Sequence, residues 1–136
     1  MTDYTHLTIA EAADLIESGA LSALALLEAH LERIARLEPT INAFITLTAE
    51  RARADADAAD KAIARGEYRG ALHGIPIALK DLYETAGVRT TLGSRFFADH
   101  VPTGDAFVVQ KLRQAGAVIV GKTNLHEIAL GVTNDN

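Results

Sequence analysis

The chain has 136 residues, a length for one domain, and 49% of them are hydrophobic, but only 5% are aromatic and tryptophan is absent. Its core must therefore be built from Ala, Leu, Ile and Val. A formal net charge of −5 and a pI near 5.5 argue against phosphate-backbone binding as a main activity. The lack of cysteine rules out disulfides, a thiolate nucleophile and a zinc–thiolate site.

Near the N-terminus stand Asp3, Glu11 and Asp14, with no basic flank and no long apolar run. Neither a signal peptide nor a membrane span is expected, and a cytoplasmic location is the default. Thr8-Ile9-Ala10-Glu11 has the form of a capping box, followed by Ile9, Ala12, Ala13 and Ile16 at helical spacing up to Gly19. A second helix is predicted after Ser22, with Leu24, Leu27, Leu31 and Ile34 as its apolar stripe and Pro39 as its stop. Asn42–Leu47 reads as extended. Thr48 is expected to cap a third helix reaching about Arg65; its charge run, Arg51 to Lys61, reads as a solvated face.

Residues 70–82 carry the most pointed signal. Gly70 and Gly74 bracket a turn, and Ile75, Ile77 and Leu79 alternate with Pro76 and Ala78, as in a strand buried on both faces. That strand ends on Lys80, at the carboxyl end where open α/β sheets place ligands. Burial disfavours the ammonium form, so a lysine there can serve as a neutral base; the plainer reading is a lysine marking the exit into solvent. Asp81 points to the other face and is expected to cap the next turn. A strand is predicted over Gly87–Thr91, a loop over 92–104, a helix over Ala106–Ala115 with Asp105 as N-cap, and a buried strand over Ala117–Val120. Strand, helix and strand in that order suggest a parallel crossover. Asn124-Leu125-His126-Glu127 has the form of a capping box opening a helix to about Leu130.

Competing motifs fail on context. Gly116 to Thr123 matches the phosphate-loop pattern, but its four intervening residues, Ala-Val-Ile-Val, form a strand that cannot turn its N–H groups onto a phosphate. His126-Glu127 starts a zinc-protease motif that Leu130 breaks, and His6, His30, His73 and His100 form no ligand set. His73 is expected to satisfy backbone groups in its turn, and Ser94 to make a supporting hydrogen bond. No metal or cofactor is expected.

Three blocks carry a family resemblance: Gly70–Asp81 with its Pro-x-x-x-Lys-Asp ending, Thr90–Ser94, and Gly116–Asn124, preceded by Ile41-Asn42-Ala43-Phe44. In order and spacing they resemble the amidase signature family over about residues 7–136. The resemblance implies an α/β fold: mainly helical residues 1–66, then an α/β segment, 67–136, holding part of a mixed sheet with covering helices. It implies hydrolysis of carboxylic amides by a Ser–cis-Ser–Lys triad in which Lys80 is the base. It further implies substrate contacts at Ala129 and Gly131, and a Lys122 that is structural or surface-facing and not the base. The family's Gly/Ser-rich block with both serines would lie beyond Asn136, and Ser18, Ser22 and Ser94 do not replace it. The chain is thus expected to be the N-terminal part of one amidase domain, inactive alone. It would be prone to self-association or to association with the remainder. The alternatives are a fragment of the glutaminase A subunit of a tRNA-dependent amidotransferase, without direct nucleic-acid binding, and a non-catalytic associating module.

Overall fold

The computed structural model describes residues 3–133. Four helices, α1 (Ile9–Glu17), α2 (Ala23–Ile41), α3 (Ala49–Ala64) and α4 (Phe107–Gln114), surround three strands, β1 (Phe44–Leu47), β2 (Pro76–Lys80) and β3 (Val118–Thr123). The sheet is mixed, in order β1-β3-β2, with β3 antiparallel to β1 and parallel to β2. Helices α1 to α3 pack against one face through Ile16, Leu26, Leu27, Ala52, Ala56, Val118 and Val120. Helix α4 covers the other face through Val109, against Leu79 and Ile119. The alanines of α3 bring it close to β3 without side-chain bulk between them.

The Thr8/Glu11 capping box forms in full. Other ends differ from the local pattern. Helix α2 continues past Pro39 to Ile41; proline forfeits its own N–H, and the chain turns out of the helix only at Asn42, with φ 47°. The start of α2 is capped twice, by the Ser22 hydroxyl and by the Asp60 carboxylate of α3, which accepts from the Ala23 and Leu24 N–H groups at 2.6 and 3.1 Å. Asp60 is therefore a cap, not part of a solvated face. Thr48 makes no side-chain cap on α3, because its hydroxyl donates to Ile119 O at 3.0 Å. Asp105 does not cap α4 either: its carboxylate accepts from Ala86 N at 2.7 Å and Arg113 Nε at 2.9 Å.

The predicted strand over Gly87–Thr91 is absent apart from a single bridge between Thr85 and Val88. Thr90 and Thr91 are buried for a different reason, described below. Strand β2 is half-buried at its start, and of its residues only Leu79 is fully buried. It lies at the sheet edge, and Ala78 and Lys80 are exposed. Strand β3 is fully central and carries a bulge: Ile77 pairs with Ile119 and Ala78 with Gly121, so Val120 is passed over. The extra residue reverses the alternation. Lys122 therefore pairs with Leu79, on the α4 face, rather than following Val118 and Val120 onto the other.

Candidate active site at the carboxyl ends of the strands

Lys80 is the last residue of β2, in register with Thr123, the last of β3. Its side chain is exposed, where the sequence points to burial. Among the described residues, no ion pair or side-chain hydrogen bond ends on it.

The buried lysine is Lys122. Its ammonium lies 3.0 Å from Asp81 Oδ1 and donates to Tyr83 O at 2.8 Å and Thr90 Oγ1 at 2.7 Å. Both Lys122 and Asp81 have 0% exposure. Two hydrogen bonds and one ion-pair contact thus surround the ammonium. Burial pulls the Lys122 pKa below the ordinary lysine value, and the hydrogen bond and charge of Asp81 oppose that. The second carboxylate oxygen accepts from Thr91 N at 2.8 Å and Thr91 Oγ1 at 2.6 Å. Thr90 and Thr91 are thus buried to complete an ion pair, not to extend the sheet. Lys122 is structural, as expected, but it is not surface-facing, and Asp81 holds a distant loop rather than merely capping the next turn.

Three segments converge beyond this pair. The Leu92 N–H donates to Asp81 O at 3.0 Å, and the Ile128 N–H donates to Leu92 O at 2.8 Å. Leu92, Ile128 and Ala129 all have positive φ, at 54°, 54° and 60°. Such backbone in non-glycine residues is uncommon and concentrates at functional sites. The Ser94 hydroxyl donates to Glu127 Oε1 at 2.7 Å. That contact withdraws Glu127 from the expected capping box, while Asn124 Oδ1 accepts from the adjacent Leu125 N. The predicted helix to Leu130 is accordingly one 3-10 turn, Glu127–Ala129. Ala129 is half-buried in it, and Gly131 packs so close to the His126 ring that a Cβ would collide with it. Lys80, Ala129 and Gly131 thus share one end of the sheet; the links between their segments run through Leu92 and Ser94.

The two glycines of the phosphate-loop pattern have packing roles. Gly116, φ 83°, ends α4 against the His73 ring, and a Cβ on Gly121 would stand 2.5 Å from Thr46 O of β1. His73 is buried, accepts from Arg69 N at 3.2 Å and stacks on Tyr68. Among the described residues no group of three or more His, Cys, Asp or Glu could hold a metal, and no helix is long and apolar enough to cross a membrane.

The Amidase family model matches residues 25–136. The chain belongs to the amidase family. The A subunit of glutamyl-tRNA(Gln) amidotransferase from Dehalococcoides mccartyi strain BAV1 is 48% identical over 136 residues, all of this chain and 28% of its own length. Native peptide amidase from Stenotrophomonas maltophilia superimposes with a TM-score of 0.88 at 38% identity, over 97% of this amidase chain and 27% of its own. A fatty acid amide hydrolase does so with a TM-score of 0.86 at 26% identity, over 90% of the chain and 22% of its own. This amidase chain therefore spans only 22–28% of the length of these relatives.

Proposed function

We propose that these residues are the lysine-bearing part of an enzyme that hydrolyses carboxylic amides. Lys80 is its general base and acts through a bridging serine on a serine nucleophile supplied by the rest of the family's length. The observation that carries this reading is the placement of Lys80. Its side chain makes no ion pair or hydrogen bond among the described residues, and it stands at the carboxyl end of a strand, where segments of strained backbone meet. A neutral lysine accepts a proton, and a hydroxyl relieved of its proton becomes a competent nucleophile. Covering the exposed end of β2 would supply the desolvation that Lys80 lacks in this chain, and so the neutral form.

A second reading narrows the substrate to the side-chain amide of glutamine. It is favoured by the 48% identity to the A subunit of an amidotransferase, against 38% to a peptide amidase.

One set of assays tests both readings. Ammonia release from glutamine and from simple aliphatic and aryl amides is measured for the chain alone and for the chain joined to the downstream part of a relative. The chain alone is expected to be inactive, because the family's Gly/Ser-rich block is not among these residues and the Ser94 hydroxyl is engaged by Glu127. The completed enzyme is expected to turn over, and Lys80→Ala to lower kcat by about a hundred- to ten-thousand-fold with the fold intact. Near-normal kcat in a folded Lys80→Ala enzyme would remove Lys80 from the mechanism. Preference for glutamine decides between the two substrates.

A further inference from the structure

The ion pair between Asp81 and Lys122 is more elaborate than a core needs. Replacing such a buried pair with apolar residues is often neutral or stabilising. Here it is fully enclosed and lies next in sequence, and one register step away, from Lys80. A carboxylate beside a lysine favours the ammonium and so disables a base. Asp81 is that carboxylate. Its charge is balanced by Lys122, and its side chain is fixed on the α4 face by Lys122 and Thr91, while Lys80 projects from the opposite face. The bulge at Val120 makes this possible, since without it Lys122 would fall on the wrong face.

We infer that Asp81 and Lys122 are positioning residues for Lys80: the pair cancels the charge of the carboxylate adjoining Lys80 and holds it away from the Lys80 ammonium. This rests on the proposed role of Lys80 as base. Other charges around the strands do not duplicate the effect. Strand β1 contains no charged residue, Lys80 is the one charge in β2, and Lys122 the one charge in β3. In the intervening loop, Glu84, Arg89, Arg95 and Asp99 are exposed, and Glu84 lies 3.4 Å from His100; beyond β3, Glu127 is exposed and its carboxylate accepts from the Ser94 hydroxyl at 2.7 Å. On α4, Lys111 contacts Gln114 and the Phe107 ring, and Arg113 is bound to Asp105 and Asp55. Asp81 is the charged group that Lys122 meets directly, at 3.0 Å.

The test reads the titration of the Lys80 side chain directly, by NMR of the chain with isotope-labelled lysine, the Lys80 resonance being assigned by its loss in Lys80→Arg. Lys122→Met leaves the Asp81 charge unbalanced and is expected to raise the Lys80 titration midpoint by about half a pH unit. Asp81→Asn leaves Lys122 unbalanced and is expected to lower it by a similar amount. The double variant is expected to titrate like the parent chain. If Lys122→Met does not fold, the downward shift in Asp81→Asn decides alone. Single variants that leave the midpoint unmoved, or move it the same way, would overturn the inference; a purely structural pair has no reason to give opposite shifts that cancel. Because no turnover is measured, this outcome is independent of whether Lys80→Ala abolishes amide hydrolysis.

Discussion

Lys80 and Lys122 stand one register step apart on neighbouring strands, in opposite surroundings. Each bond to the Lys122 ammonium replaces one it would make to water, so removing either member of the pair leaves an uncompensated charge in the core. Lys122→Ala is expected to destabilise the chain by about 3–5 kcal/mol, whereas Asp81→Asn with Lys122→Met should cost markedly less; urea titrations of the three chains check both. His73 sets a second expectation. Burial pushes its pKa below the ordinary 6.5, Arg69 acts the same way, and Asp60 opposes them. Above about pH 6.5 the imidazole is neutral in both folded and unfolded chains. As pH falls through that value, the unfolded chain takes up a proton that the folded chain resists, so stability is lost until the lowered folded-state pKa is passed. Denaturant midpoints should therefore fall between about pH 7.5 and 5.5. His73→Gln, which keeps an acceptor for Arg69, should flatten that decline, and an equally steep decline would show that other groups govern it.

At the level of elements, an end was legible wherever its partners are local. Thr8 and Glu11 lie three residues apart and nothing competes for them, so their capping box is visible in the sequence and present in the fold. Asn124 and Glu127 show the same spacing, but Ser94, 33 residues away, takes the Glu127 carboxylate. Thr48 and Asp105 likewise have the right chemistry for caps and spend it on β3 and on Arg113. The β-branched Val88, Thr90 and Thr91 within 87–91 read as a strand because burial and pairing leave the same trace in composition. The position of Lys80 at a strand end was legible from its apolar run and the family blocks. The Asp81–Lys122 pair was not, because a bulge changes the parity on which strand reasoning depends. Two variants probe these links. Asp60→Ala should cost about 1–2 kcal/mol by uncapping α2. Ser94→Ala should leave global stability nearly unchanged while speeding hydrogen exchange at the Ile128 amide, as the 124–131 segment loses a tether.

On the scale of the whole molecule, the sheet has two edges, β1 and β2, and several apolar side chains stand in solvent: Phe96 at 90%, Leu130 at 84% and Phe107 at 73% exposure. Unpaired edges recruit strands from other chains, and exposed apolar surface favours association. The chain is expected to self-associate in a concentration-dependent way, or to be made monomeric by adding the remaining family segment in trans. Light scattering across a dilution series checks this, and a compact, well-dispersed monomer at micromolar concentration would contradict it. The central place of β3 also governs the order of folding. Its residues follow β1 by more than 70 positions and β2 by about 40, yet neither outer strand has a partner without it. During synthesis, α1, α2 and α3 can consolidate first, while both outer strands wait unpaired until Thr123 has left the ribosome. Most of the loop-closure entropy is then met in a single late event, which makes this a slow-folding chain for its size and β3 the segment whose arrival limits the rate.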